Sequence, residues 1–269
     1  MKTAFEIPFY AADLPCPLPT SAEIENAPGV SLEYGGRRIV GVGQHFVVKF
    51  GLGVNLIEGE NMLFVRENTN VPVPRVYALY SHPKTRKNYI VMERIIGQSL
   101  LSAWPYFDEL RHLPSQSYFG SFGYRPLLDE IFWTQEPDPQ VNGPFHSEED
   151  LNEAMIRKYT YNGGTPYRAE YLRKCLPLVF KGHEAAFTHG DLQRKNIMIR
   201  EKSNRSREEA NLVIIDWEKS GWYPRYWEYC LAICALRWDD DWALWIDSIL
   251  TPFVSEAAWL QTLRLELWS

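Results

Sequence analysis

The feature that most constrains the fold is a pair of polar motifs, each next to a short apolar run. The first motif is H-G-D-x-x-x-x-N in the segment 187–200, FTHGDLQRKNIMIR, which contains Asp191 and Asn196. The second ends the segment 212–218, LVIIDWE, which contains Asp216. The apolar runs between these residues are typical of β-strands. We therefore predict a hairpin that brings the three polar side chains to one end of a sheet.

This set of side chains suits the transfer of a phosphoryl group from a nucleotide. Mg²⁺ between phosphate oxygens prefers hard oxygen ligands, which Asn196 and Asp216 supply as an amide and a carboxylate. A second carboxylate must orient the attacking hydroxyl and accept its proton, and Asp191 fits this role. His189 is expected to hold the loop by hydrogen bonds and not to act in catalysis.

Residues 1–93 divide into a proline-rich arm and a sheet-forming part. Residues 1–31 are rich in proline and predict an irregular arm with a short helix over 21–26. Residues 32–93 predict a small, mostly antiparallel sheet with one helix over 55–67. The strands are expected over 32–34, 38–42, 45–50, 76–80 and 89–93.

Residues 94–269 are predicted to be mainly helical, so the fold class is α+β with two lobes. Helices are expected over 100–113, 147–159, 169–180 and 226–236. Residues 201–211 are charged and are expected to form a solvated hairpin tip. The acids at 239–241 are expected to end a helix in solvent, and the late tryptophans are expected to lie mainly in the core.

Composition excludes several classes of protein. The chain has 269 residues, of which 45% are hydrophobic and 23% are charged, so it is not a wholly disordered protein. A formal net charge of −6 shows no basic excess, so we expect no nucleic-acid partner. No segment resembles a membrane span or a secretory signal. The four cysteines form no C-x-x-C pair, so we expect free thiols in a reduced, cytoplasmic setting and no membrane partner.

The motifs together resemble the aminoglycoside phosphotransferase and choline kinase-like family, which has a protein-kinase-like fold. H-G-D-x-x-x-x-N followed by I-D-W-E carries the resemblance. It is extended by the strand lysine in Val47-Val48-Lys49, by the hinge-like segment YIVMERIIGQSL, and by GWYPRYWEY at 221–229. The likeness to the fungal-type aminoglycoside phosphotransferase-domain proteins extends over roughly residues 32–260.

The resemblance implies a two-lobed fold and an enzyme that moves the γ-phosphate of ATP, with Mg²⁺, to a hydroxyl of a small acceptor. It implies that Lys49 contacts the α/β-phosphates and that Glu58 pairs with Lys49. Glu60 is the alternative partner on the same helix. The carbonyl of Glu93 and the N–H of Ile95 would hold the adenine edge.

For the catalytic loop, the resemblance implies that Asp191 is the catalytic base and that Asn196 and Asp216 are the metal ligands. The acceptor stays open among aminoglycosides, choline-like amines, sugars, amino alcohols and natural-product hydroxyls. The oligomeric state also stays open. A nucleotide-binding pseudokinase of the same fold, without phosphate transfer, is the alternative function.

Two features differ from the family pattern. The chain has no G-x-G-x-x-G segment to cover the phosphates and offers only Gly35-Gly36 and Gly41-Val42-Gly43. The segment after Trp104 is also shorter than in relatives, which implies a change beneath the catalytic loop or on the acceptor side.

Overall fold

The computed structural model describes residues 4–30, 33, 35–95, 97–99, 110, 113–200, 212–234 and 242–267. The chain divides into two compact units. The first consists of Met1–Ser102 and Ile197–Glu218, and the second consists of Ala103–Asn196 and Lys219–Ser269. The first unit is rich in sheet and the second is mainly helical, which confirms the predicted α+β class.

A five-stranded antiparallel sheet forms the centre of the first unit. Its strands are β1 (Phe9–Tyr10), β2 (Arg37–Val42), β3 (Phe46–Gly51), β4 (Val76–Ser81) and β5 (Asn88–Glu93). Their spatial order is β1-β4-β5-β3-β2. Strands β2 to β5 lie where the apolar patterns predict them. Strand β1 was not predicted, because two residues within a proline-rich arm are too few to show a period.

Two helices accompany this sheet, α1 (Ser21–Asn26) and α2 (Ile57–Asn68). Helix α1 begins with a capping box, in which Thr20 and Glu23 bond each other's backbone N–H groups. Helix α2 packs closely on β4, because a Cβ at Gly59 would overlap the side chain of Leu79. The glycine thus lets the helix approach the sheet closely. The neighbouring Glu58, the predicted partner of Lys49, is thereby held near the sheet.

A second sheet of the first unit contains the predicted hairpin. It consists of β6 (Gly97–Ser99), β9 (Ile197–Arg200) and β10 (Leu212–Ile214), in the order β10-β9-β6. The backbone N–H of Ile214 donates to the carbonyl of Pro72 at 2.8 Å, which ties β10 to the turn after α2. The predicted hairpin tip at 201–211 lies outside the described residues.

The second unit contains most of the helices. Within the described ranges these include α3 (Pro139–Asn142), α4 (Glu148–Tyr161), α5 (Pro166–Val179), α6 (Trp227–Cys234), α7 (Trp242–Ile249) and α8 (Val254–Leu267). A small sheet of β7 (Gly120–Ser121), β8 (Ala185–Thr188) and β11 (Gly221–Pro224) has the order β7-β11-β8. Ser147 caps α4 by accepting from the N–H of Asp150 at 3.0 Å.

Several tryptophans belong to the core, as the sequence predicts. Trp217 of the first unit is fully buried. In the second unit, Trp222 and Trp227 are buried, and Trp227 stacks on Phe132 with ring centroids 5.6 Å apart. The predicted strand at 32–34, the predicted helix at 100–113 and the acids at 239–241 fall almost wholly outside the described residues. In the described parts of the chain, no helix combines the length and the apolarity that crossing a bilayer requires.

Candidate active site

In the first unit, three carboxylates surround one buried lysine. Lys49 lies in β3, and its side chain is 5% exposed. Its Nζ lies 2.7 Å from Glu58 Oε2, 3.2 Å from Asp216 Oδ1 and 3.1 Å from Glu218 Oε2. The structure therefore brings the predicted residues Lys49, Glu58 and Asp216 together and adds Glu218, to which the sequence analysis gave no role. Glu60 is also buried on α2.

The crowding of charges shifts the pKa values in this cluster. Burial alone would lower the pKa of Lys49, but the carboxylates of Glu58, Asp216 and Glu218 raise it above its ordinary value. Burial raises the pKa of Glu58 to about 7, the positive charge of Lys49 opposes that rise, and Asp216 and Glu218 add to it. Lys49 is therefore held as an ammonium ion at neutral pH.

Asp216 occupies an unusual backbone position directly after the hairpin. Its φ of 67° lies in the left-handed region, which residues other than glycine seldom adopt and which is frequent at functional sites. The neighbouring Trp217 fixes the segment from both sides. Its indole Nε1 donates to the carbonyl of Ile214 at 2.8 Å, and its own carbonyl accepts from Asn61 Nδ2 at 2.9 Å.

Glu93 and Ile95 lie at the end of β5 and just beyond it. The backbone N–H of Glu93 donates to the carbonyl of Arg75 at 2.8 Å, and Glu93 Oε2 accepts from the N–H of Arg75 at 3.2 Å. The N–H of Arg94 donates to the carbonyl of His45 at 2.9 Å. These bonds fix the strand on either side, and the adenine contacts of Glu93 and Ile95 stay a prediction.

In the second unit, the H-G-D loop is held by a buried glutamate of α6. Glu228 Oε2 accepts from the N–H of His189 at 2.5 Å, and Glu228 Oε1 accepts from the N–H of Gly190 at 3.3 Å. His189 Nδ1 accepts from the N–H of Asp191 at 3.2 Å, and the His189 carbonyl accepts from Ser220 Oγ at 2.9 Å. His189 is fully buried, and these bonds fit the structural role expected of it.

The same loop orients Asp191 through its two neighbours in the motif. Asn196 Nδ2 donates to the backbone carbonyl of Asp191 at 2.8 Å and to its Oδ2 at 3.0 Å. Gln193 Nε2 donates to the other carboxylate oxygen. The exposed Lys195 has its Nζ 3.5 Å from Asp191 Oδ2. The structure thus brings Asp191 and Asn196 together in the second unit, whereas Asp216 belongs to the first.

Asp191 lies at the wall of a cavity of about 840 Å³. Glu130 and Lys219 also line this wall and form an ion pair with each other. Arg264 and Asp129 form a second ion pair, with Arg264 Nη1 3.2 Å from Asp129 Oδ1. Burial alone would lower the pKa of Lys219, but the bond to Glu130 and the nearby carboxylates raise it. Each acid named here has a basic partner, so this wall is polar without an excess of either charge. All the described lining residues belong to the second unit.

Three residues of the site were not predicted from the sequence, namely Glu228, Lys219 and Glu130. Glu228 lies in GWYPRYWEY, which was noted for its resemblance and not for its carboxylate. Lys219 directly follows the I-D-W-E motif, whereas Glu130 lies in a proline-rich segment with no period. Only their positions within or directly after a motif could have indicated Glu228 and Lys219.

Replacement of Gly190 by alanine should destabilise the fold and the loop. Gly190 has a φ of 84°, and a Cβ there would lie 2.8 Å from the backbone oxygen of Lys219. We expect Gly190→Ala to lower the free energy of unfolding by about 1–3 kcal/mol, measured by urea denaturation. Gly182→Ala is the matched control, because Gly182 has a φ of 80° but no atom within 4 Å of such a Cβ. Equal losses in both variants would contradict the overlap.

Comparison with known proteins bears on the fold and on the segment that contains the H-G-D and I-D-W-E motifs. Residues 133–255 match the family described as the phosphotransferase enzyme family. The chain is similar to the crystal structure of a thermostable mutant of aminoglycoside phosphotransferase APH(4)-Ia in ternary complex with ADP and hygromycin B. The sequences are 15% identical, the match covers 93% of this chain and 84% of that one, and the TM-score is 0.54.

A second similar structure is the GDP complex of wild-type aminoglycoside 2'-phosphotransferase-IIIa. It is 14% identical over 91% of this chain and 85% of that one, with a TM-score of 0.48. No curated protein sequence matches the chain significantly. The fold assignment rests on the first of these structures. Residues 133–255 thus match the phosphotransferase enzyme family, and the chain has the fold of the aminoglycoside phosphotransferases.

Proposed function

We propose that this protein is an ATP-dependent phosphotransferase that moves the γ-phosphate to a hydroxyl of a small acceptor. The observation that carries the proposal is the position of Asp191. Its carboxylate accepts bonds from Asn196 and Gln193 and lies at the wall of a cavity of about 840 Å³. A fixed carboxylate beside a cavity can orient a hydroxyl and accept its proton as the oxygen attacks phosphorus.

The nucleotide would bind to the first unit. Lys49 Nζ, held 2.7 Å from Glu58 Oε2, is a buried cation suited to the α/β-phosphates. The carbonyl of Glu93 and the N–H of Ile95 would bond the adenine edge. A nucleotide is also present in the solved relatives, which are complexes with ADP and with GDP.

The side chains of Asn196 and Asp216 fit Mg²⁺ by their donor chemistry. Because Asn196 Nδ2 donates twice to Asp191, its Oδ1 is the atom left to act as a ligand. Asp216 offers a carboxylate in a backbone position that Trp217 fixes. When bound, Mg²⁺ would neutralise charge on the phosphate oxygens. Asp191 would hold the acceptor hydroxyl, and its carboxylate would take the proton.

The acceptor would occupy the cavity beside Asp191. Glu130 lines this cavity, and within the described ranges its Oε2 is buried without a hydrogen-bond partner. A hydroxyl or amine of the acceptor would satisfy this oxygen. We therefore expect an acceptor with at least one hydrogen-bond donor besides the reacting hydroxyl.

An assay with γ-labelled ATP and a metabolite extract tests the proposal. With Mg²⁺ present, the wild type should form a labelled product, and Asp191→Asn should not. The mass of the product would then identify the acceptor. Nucleotide binding without any labelled product, from extracts and from a panel of hydroxyl and amine acceptors, would instead favour a pseudokinase.

A further inference from the structure

Arg37 and Lys49 lie on the same face of the five-stranded sheet. In the antiparallel pair of β2 and β3, Arg37 is opposite Gly51 and Ile39 is opposite Lys49. Side chains alternate between the two faces of a strand, so Arg37, Ile39 and Lys49 share one face. The neighbouring Arg38 belongs to the opposite face.

The two cations converge on a single carboxylate oxygen. Arg37 Nη1 lies 2.6 Å from Glu218 Oε2, and Lys49 Nζ lies 3.1 Å from the same atom. Both cations donate hydrogen bonds to this oxygen. An oxygen that bridges a guanidinium and an ammonium has the surroundings of a phosphate oxygen in a nucleotide site.

Arg37 also directly follows a glycine turn at the start of β2. Gly35 and Gly36, with φ values of 58° and 70°, form the turn directly before it. The chain lacks the glycine-rich pattern that offers several backbone N–H groups to phosphates, so other donors are needed there. The Arg37 side chain is 32% exposed, whereas Lys49 is 5% exposed, so Arg37 is accessible to a ligand from solvent.

We propose that Arg37 binds a phosphate of the nucleotide, and that Glu218 Oε2 marks the position where a phosphate oxygen bridges Arg37 and Lys49. This inference rests on the proposed function, because it assumes that a nucleotide binds beside Lys49. It assigns Arg37 the role that glycine-rich backbone usually has. The phosphate and Glu218 therefore compete for the same two cations.

The test measures the affinity of the full chain for ADP and adenosine by calorimetry without Mg²⁺. Arg37→Ala should weaken ADP binding by about tenfold to a hundredfold, because a charged hydrogen bond contributes about 1.5–3 kcal/mol. Adenosine binding should stay within about twofold, since adenosine has no phosphate. Arg37→Lys keeps the charge but not the planar fork and should lose less ADP affinity than Arg37→Ala.

Arg38→Ala is the matched control from the same strand. Arg38 is opposite Phe50, and its guanidinium lies 5.4 Å from the centroid of that ring. We expect Arg38→Ala to change neither ADP nor adenosine affinity by more than about twofold. A loss of ADP affinity in Arg38→Ala equal to that in Arg37→Ala would mean that general surface charge explains the effect, and would overturn the inference.

A second pair of variants separates phosphate binding from a purely structural ion pair. In a Glu218→Gln background, Arg37→Ala should still weaken ADP binding by about tenfold or more. If Arg37 served only to hold Glu218, its replacement would have no further effect on ADP in that background. Thermal unfolding shows whether each variant is folded. If Arg37→Ala does not fold, the ADP affinity of Arg37→Lys tests whether Arg37 binds a phosphate.

The outcomes distinguish the two proposals. Normal ADP binding in the Arg37 variants, with ADP binding intact in the wild type, overturns the role of Arg37 and leaves the proposed function in place. Equal loss of ADP and adenosine affinity in Arg37→Ala also overturns that role. Failure of the wild type to bind ADP or ATP both with and without Mg²⁺ overturns the proposed function and the inference together.

Discussion

Asp191→Asn is expected to lower kcat by about a hundredfold to ten-thousandfold while the chain stays folded. An amide cannot accept the hydroxyl proton, and general-base catalysis contributes this range. The change keeps the size of the side chain, and the N–H of residue 191 can still donate to His189 Nδ1. Because Asp191 is proposed to contact the acceptor hydroxyl and not the nucleotide, the affinity for nucleotide should change little.

Two measurements check this expectation. The first is kcat with ATP and the acceptor found in the labelling assay, and the second is the dissociation constant for ADP. Asp150→Asn makes the same chemical change at the exposed first turn of α4 and should leave both unchanged. If Asp191→Asn kept kcat within about tenfold of the wild type, Asp191 would not be the base.

The second large effect is expected from Glu228→Ala. Glu228 is 6% exposed, and its carboxylate binds the N–H groups of His189 and Gly190. Alanine removes the acceptor for both buried donors, each of which costs about 1–3 kcal/mol when left unsatisfied. We expect the free energy of unfolding to fall by about 2–5 kcal/mol. We also expect kcat to fall, since the loop that orients Asp191 is then less firmly held.

Urea denaturation and kcat, measured on the same samples, check this prediction. Glu228→Gln keeps the size and one acceptor oxygen, so both losses should be smaller than in Glu228→Ala. Glu149→Ala, which removes an exposed glutamate of α4, should change the free energy of unfolding by less than about 0.5 kcal/mol. Wild-type stability in Glu228→Ala would show that the loop does not depend on this carboxylate.

Local patterns were sufficient for most of the elements. Strands β2 to β5, helix α2 and the hairpin of β9 and β10 were predictable because their apolar residues follow a strand or helix period. Ser147 followed by acids predicted the start of α4, because a capping residue bonds backbone groups within the first turn of its own helix. These signals need only neighbouring residues, and a single sequence contains them.

The parts that could not be predicted depend on distant contacts. Glu228 binds the N–H of His189, which is 39 residues away, and nothing near Glu228 marks that contact. Arg37 meets Glu218, which is 181 residues away, and their ion pair requires both β2 and the end of the hairpin to be in place. The choice between Glu58 and Glu60 could be argued only from helix periodicity, and only the fold determines which carboxylate meets Lys49.

Helix α2 contacts both Lys49 and the segment that contains Asp216. Glu58 contacts Lys49, Gly59 lies against Leu79, and Asn61 bonds the carbonyl next to Asp216. These three residues lie within one turn of the helix, so a small rotation of α2 would disturb the lysine and the aspartate together. Substitutions at Glu58 and Asp216 should therefore be strongly non-additive. A change of sequence in this turn therefore keeps both groups in place only if it preserves all three contacts.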